Sequence, residues 1–438
     1  MWGLKEILKR EVRPALGCTE PVAVALACAH ASSLLKKNKE IEEIRVLVSP
    51  GIYKNGMGVF IPGTHGERGL FMAAALGALA GDGRLEMEVL AKIRPQDIER
   101  ARVLIAEKKV IVKSKKDLSG IYVHALVRSK RDVAEAIIED FHTSLTHLFL
   151  NGNQIPLEVK RRSSPSPRKP QDLQKWLKNV SFETLYLLAK EAREDPEVIG
   201  LLKDSIEMNL RLSRYALERP TGSTVGCSFT EPQGNNTGHL ALTIQKYTAA
   251  AVDARMAGAP LPAMSSAGSG NNGIVATIPL WAIWKNQTKD LPYEALLEAT
   301  ALSHLVTSKL KAHMGRVTPI CSCSLCAGAG AAAGMCMLYN QEISVMERAV
   351  ENHILTLFGI LCDGAKPSCA LKLANASVCA LDSSNFAIRG IGVSPGEGLA
   401  GEDIYATLKN IEGFLSTTYS KVDHTLISIM ERTAAHII

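Results

Sequence analysis

The sequence predicts an α+β protein, with an N-terminal mixed α/β domain over residues 1–160 followed by an all-α helical domain over residues 172–438 that carries most of the cysteines. Three observations predict this. Stretches of period two, such as Ile44 to Ser49 and Ile121 to Val127, alternate with helical stretches only in the first part. Lys160 to Gln171, KRRSSPSPRKPQ, is charged, rich in Ser and Pro and free of large apolar side chains, the composition of a linker. Beyond it, the long apolar repeats all have helical period. The 438 residues suffice for two domains. With hydrophobics at 46% and aromatics at 5%, the core is built from Ala, Leu, Ile and Val.

In chain order, MWGLKEILKREVRP reads as an amphipathic charged helix. Gly17-Cys18-Thr19-Glu20-Pro21 then opens an apolar helix from Val22 to Leu35, with Thr19 as N-cap and Pro21 in the first turn. Cys18 therefore sits at a helix N-terminus, a location that favours the thiolate; the alternative is a buried turn cysteine. Strands are expected at 44–49 and 58–61, with Lys54-Asn55-Gly56 as a hairpin turn between them. Pro62-Gly63-Thr64-His65-Gly66-Glu67-Arg68-Gly69 leads into a helix over 70–80, and such a Gly-rich loop can offer backbone amides to a carboxylate or serve as a plain turn. Further strands are expected at 85–93, 110–112 and 121–127, helices at 95–108 and 131–140, and a hairpin over 143–159.

The second part predicts helices over 173–180, 182–191, 198–217, 238–256, 291–310, 344–361 and 404–415. Three irregular breaks interrupt them. Thr221 to Gly238 contains Gly226-Cys227 and Thr230-Glu231-Pro232, an echo of residues 17–21 with no longer repeat around it. Ser265 to Gly273, SSAGSGNNG, has the composition of an anion-binding nest or of a flexible loop. The third break is the cysteine stretch from Cys321 to Cys369.

Composition excludes several function classes. The net charge of +6 is spread along the chain, and no basic stripe is interleaved with aromatics, which argues against nucleic acid as a partner. No run reaches the roughly 18 apolar residues needed to span a bilayer. Ten cysteines behind a charged, amphipathic start predict a cytoplasmic protein whose thiols serve metal or catalysis rather than disulfides.

Six of those cysteines, Cys321, Cys323, Cys326, Cys336, Cys362 and Cys369, lie within one stretch of 49 residues, CSCSLCAGAG…CDGAKPSC. Thiolates are soft ligands suited to zinc and to iron–sulfur clusters. The Gly and Pro between Cys362 and Cys369 favour a turn that brings two sulfurs together. C-x6-C is no standard zinc or ferredoxin spacing, and the same residues serve equally as small buried packing groups.

Taken together, GCTEP at 17–21, PGT at 62–64, GSGNNG at 268–273 and CDGAKPSC at 362–369 resemble the L-cysteine desulfidase family, itself related to the iron–sulfur L-serine dehydratases, whose alpha-chain region is similar to the second half of this protein. The resemblance runs from Cys18 to about residue 374. It implies a 4Fe–4S cluster held by Cys362, Cys369 and a third cysteine upstream, Cys321 in preference to Cys323. It implies β-elimination from L-cysteine to sulfide, ammonia and pyruvate, with an amino acid as the small-molecule partner and room for a homo-oligomer. Cys18 matches a cysteine to which an active-site role is ascribed. Cys18 and His65 are the candidate bases, and Thr64, Ser269 and Asn271 the candidates for holding the substrate carboxylate. His65 departs from the pattern, although related dehydratases carry a Ser/His-rich substrate loop. Lys366 is expected to be structural, because no doubly wound α/β pattern exists to carry pyridoxal phosphate. L-serine dehydration on the same cluster, or a non-catalytic metal-binding or redox-sensing role, are the competing functions.

Overall fold

A computed structural model of the chain describes residues 2–35, 40–64, 66–118, 120–157, 170–230, 239–287, 291–315 and 317–435. The first part contains α1 (Leu4–Glu11), β1 (Pro14–Leu16), α2 (Thr19–Ser33), β2 (Ile41–Val48), α3 (Pro50–Gly56), α4 (Gly69–Ala80), α5 (Pro95–Ala106), β3 (Val110–Ser114), β4 (Tyr122–Ser129), β5 (Val133–Glu139), β6 (Leu145–Leu150) and β7 (Asn153–Gln154). The second contains α6 (Pro170–Asn179), α7 (Phe182–Lys190), α8 (Pro196–Glu218), α9 (Val225–Ser228), α10 (His239–Met256), β8 (Pro262–Met264), α11 (Gly270–Gln287), α12 (Tyr293–Met314), α13 (Gly328–Leu338), α14 (Ile343–Leu357), α15 (Cys369–Ile388) and α16 (Ile404–Ala435). The architecture is α+β, as the sequence predicts.

A six-stranded sheet in the order β3-β2-β4-β5-β6-β7 forms the first body, parallel only between β2 and β3. Alternation in β2 sends Ile44, Val46 and Val48 inward, against the apolar helices α2 and α4 that cover the sheet. The stretch expected to be a helix over 131–140 is instead strand β5. Its Ala and Glu favour a helix locally, but pairing with both β4 and β6 buries Ala134, Ala136 and Ile138 completely, and the period-two pattern wins. The strand expected at 85–93 is a 3₁₀ turn over Gly83–Glu88, capped by the Asp82 side chain. The hairpin expected around residue 55 is absent too. Pro50, favourable in a first helical turn, starts α3, and Phe60 makes only an isolated bridge to Arg68.

The second body is helical, with α12 and the Ala/Gly-rich α13 buried at its centre; α13 packs against α11, α12, α14 and α15, and α10 lies against α8, α11 and α15. Small residues along α13 permit close approach of its neighbours. The GSGNNG stretch is not a free loop: Gly270 is already the first residue of α11.

The bodies have separate cores, and several elements cross between them. The first helix packs into the helical core through Trp2, Leu4, Ile7 and Leu8. Strand β1 pairs antiparallel with β8. The last helix, α16, returns to α3, where Lys54 and Asp423 form an ion pair at 2.5 Å with both side chains buried. The linker expected at 160–171 falls almost wholly on residues outside those described.

Candidate active site between the two bodies

The cysteine stretch folds around an antiparallel bridge between Ile320 and Leu361. The Cys321 amide donates to the Ile360 carbonyl at 2.8 Å, and the Cys362 amide to the Pro319 carbonyl at 2.6 Å. In this register Cys321 and Cys362 are diagonal neighbours on one face, a relation that sets residues about 7–8 Å apart. After Cys321 the chain makes a π-helical turn over Cys323–Ala327, a feature common at functional sites. After Cys362 it turns through Gly364, whose φ of +98° and position 2.6 Å (as a Cβ) from the Lys54 carbonyl admit only glycine. Asp363 receives both Lys366 and Lys372, the latter at 2.6 Å, so Lys366 braces the turn as expected of a structural lysine.

The thiols differ in character. Hydrogen bonds from Cys323 and then Ser324 outweigh burial and bring the Cys321 thiol down to about 6, while Cys323, as the donor, is pushed up. Burial raises Cys369 to about 12. Burial also raises Cys362, against the pull of the Lys54 charge. Cys326 and Cys336 are sealed in the core, their thiols raised to about 12 by burial, as packing residues should be. Sulfurs around one tetrahedral ion lie within about 4 Å of each other. Among the described residues no group of three or more His, Cys, Asp and Glu is gathered to hold a metal ion. Cys321, Cys362 and Cys369 lie near enough to act on one another's charge, and thiols as a donor set suit a soft metal or an iron–sulfur group.

The first body reaches this turn through a chain of hydrogen bonds. Cys18 is the N-cap residue of α2, one position ahead of the expected Thr19, and its thiol donates to Glu20 Oε2 at 2.9 Å. Asn55 Nδ2 donates to Glu20 Oε1 at 2.9 Å, and Cys362 Sγ donates to Asn55 Oδ1 at 3.6 Å. The helix terminus does not make Cys18 a thiolate, contrary to the sequence expectation. Burial, and then the neighbouring Glu20 charge, push the thiol well above its usual range, and Arg255 only partly offsets them. Burial works against the Glu20 charge too, but His142 and the hydrogen bonds from Cys18, Asn55 and Thr19 hold the carboxyl below its usual range.

Ser269, just ahead of α11, and Asn271, in its first turn, reach the same place. Ser269 Oγ lies 3.5 Å from Cys323 Sγ. Asn271 Oδ1 accepts from Arg255 Nη1 at 2.9 Å, and Arg255 Nη2 donates to the Gly17 carbonyl at 2.6 Å. Beneath them His304 joins Ser205 and Ser266, each at 3.0 Å, and fixes the loop. Thr64 is buried, with its hydroxyl donating to the Ile61 carbonyl at 2.6 Å, and its loop abuts Gly17 through Pro62. His65 lies outside the described residues. Cys18, Ser269, Asn271, Cys321 and Cys362 are thus gathered at one junction of the two bodies. Sequence reasoning missed Glu20, Asn55 and Arg255. Glu20 lies inside the GCTEP motif and was legible there as a carboxylate beside a thiol, whereas Asn55 and Arg255 carry no local signal.

No helix among the described residues is long and apolar enough to cross a membrane. The family model described as serine dehydratase alpha chain matches residues 84–428, taking in most of the sheet and the whole cysteine stretch. A UPF0597 protein of Desulforapulum autotrophicum is 41% identical over 434 residues, covering 98% of this chain and 97% of that one. A UPF0597 protein of Desulfatibacillum aliphaticivorans is 37% identical over 433 residues, covering 98% and 97%. One of Clostridioides difficile is 35% identical over 430 residues, covering 97% and 98%. The family is linked in general to iron–sulfur serine dehydratases, which are lyases. With more than three quarters of its residues matched by that model, this chain belongs to the serine dehydratase alpha chain family.

Proposed function

We propose that this protein is an L-cysteine desulfidase, eliminating sulfide from L-cysteine to leave pyruvate and ammonia. The observation that carries the reading is the hydrogen-bonded series Cys18–Glu20–Asn55–Cys362, which joins a proton-carrying pair on one body to a ligand thiol on the other. Cys321, Cys362 and Cys369 are the ligands that would hold a 4Fe–4S cluster, with Cys321, the more acidic of its pair, preferred to Cys323. When bound, such a cluster supplies a Lewis-acidic iron with an open position. Cys18 and Glu20 hold one dissociable proton between them. That proton rests on Cys18, so it passes to the Glu20 carboxylate before the Cys18 thiolate takes the Cα proton of the substrate. The electron pair of the broken C–H bond forms the Cα–Cβ double bond, and the C–S pair leaves with sulfur. The aminoacrylate released tautomerises and hydrolyses to pyruvate and ammonia. Ser269 and Asn271 orient the substrate carboxylate from the start of α11, with Thr64 closing the loop on the other side, and His65 is the second candidate base.

L-serine dehydration at the same site is the alternative, favoured by the description of the matching family. The test is anaerobic purification, an absorption spectrum, and parallel assays of sulfide from L-cysteine and pyruvate from L-serine. A brown protein releasing sulfide supports the desulfidase reading, and faster turnover of serine replaces it with the dehydratase. A protein that binds metal yet releases nothing from either amino acid defeats both.

A further inference from the structure

Arg255 is a buried cation with no ion-pair partner among the described residues. It is 3% exposed, at the end of α10, and its partners among the described residues are neutral: the Gly17 carbonyl and the Asn271 side-chain oxygen. Its Nε is fully buried and unpartnered. A guanidinium carries five N–H donors and stays charged when buried, so three of its donors are unassigned there. The nearby Asp253 carboxylate is directed elsewhere, accepting from the amides of Ser223 and Gly226. Taking a charge out of water without a counter-ion is costly, and a clamp between two loops does not need a charge.

The backbone around it is of mixed polarity: Arg255 stands in the last turn of α10, the negative end of that helix, and faces the starts of two others. Gly17 and Cys18 lead into the N-terminus of α2, and Gly270 and Asn271 begin α11, so Arg255 bridges two helix N-termini whose first amides lack intrahelical partners. A Cβ at Gly270 would lie 2.3 Å from Arg255 Nε, so only glycine lets the guanidinium lie on the start of α11. The Glu20 carboxylate already stands in the first turn of α2, whereas the first turn of α11 holds no acidic residue, so the start of α11 is the end left for an anion. Ser269, the next residue, touches Cys323 of the cysteine turn.

We infer that Arg255 is the charge that binds the α-carboxylate of the substrate, at the junction of α2 and α11 and beside the cysteine turn. The assignment rests on the amino-acid reading of the site and defines its substrates by a negative charge on the carbon skeleton rather than by the leaving group.

The test compares L-alanine, which cannot eliminate, with L-alaninamide, which keeps the ammonium and lacks the anion, by calorimetric titration of the anaerobically purified protein. Wild type should bind L-alanine at least about tenfold more tightly than the amide, and Arg255→Met should reduce the preference to within about twofold. Arg255→Lys, which keeps the charge but not the fork, should fall between. If Arg255→Met does not fold, Gly270→Ala displaces the guanidinium without removing it and should weaken the preference in the same way. A wild-type preference retained in folded Arg255→Met or in Gly270→Ala overturns the assignment, as does equal binding of both probes, no binding of either, or binding of sulfate alone. A sulfide-release assay separates the two readings. A preference that depends on Arg255 in a protein that releases no sulfide leaves the carboxylate site standing without the elimination. Sulfide release with unchanged KM in Arg255→Met leaves the elimination standing without this site.

Discussion

Asp423→Asn is expected to destabilise the protein far more than an exposed charge would, because it breaks the pair that fastens α16 to α3 beside the cysteine turn. Lys54 and Asp423 meet at 2.5 Å with 0% and 3% of their side chains exposed. In Asp423→Asn the Lys54 ammonium keeps only neutral acceptors among the described residues, the Thr318 carbonyl at 3.5 Å and the amide oxygen that replaces the carboxylate. Removing one partner of a buried ion pair costs about 3–5 kcal/mol, since the remaining charge is left uncompensated. At an m-value of about 3 kcal/mol per M of urea, that lowers the unfolding midpoint by roughly 1–1.7 M. The double replacement Lys54→Met with Asp423→Leu removes both charges and should return to within about 1 kcal/mol of wild type. It should not restore the site. Burial raises the Cys362 thiol and the Lys54 charge offsets part of that rise, so the double variant should be stable yet retain less iron after anaerobic purification. Equilibrium urea unfolding and iron analysis read the two effects separately. An Asp423→Asn loss below about 1 kcal/mol, or a double variant less stable than either single one, refutes the account of this pair.

Cys18→Ser should keep the iron content of wild type and lose at least about a hundredfold in turnover, whereas Cys362→Ser should lose the iron; near-wild-type turnover in Cys18→Ser would make Cys18 a packing residue. Glu20→Gln removes both the acceptor of the Cys18 proton and a charge that raises its thiol. Iodoacetamide should therefore alkylate Cys18 at lower pH, followed by mass spectrometry, while turnover falls at least about a hundredfold; unchanged turnover would leave Glu20 only a structural role. Burial holds His304 at about 3 and His353 at about 4, below the ordinary 6.5. Between those values and 6.5 the unfolded chain binds protons that the fold refuses, so stability is complete above about 6.5 and is lost as the pH falls. Each histidine should cost about 2 kcal/mol by pH 5, and a urea midpoint constant from pH 7 to pH 5 would contradict this.

The sequence by itself determined the division into a sheet-bearing part and a helical part, because apolar periodicity reports directly which face of an element is buried. It also made the cysteine turn legible, since thiols, Gly and Pro at short spacing constrain each other locally. Tertiary packing decided the rest. Residues 133–139 are a strand only because β4 and β6 lie on either side, and α3 replaces a turn where Lys54 and Asn55 meet the second body. The protonation of Cys18 is the clearest case. Its helix terminus favours the thiolate, a local effect, but burial next to Glu20 outweighs it, and burial is a property of the packed whole. Asn55 meets Cys362 across 307 residues and Arg255 meets Gly17 across 238. No spacing rule spans such separations, so these contacts exist only once both bodies have folded and docked.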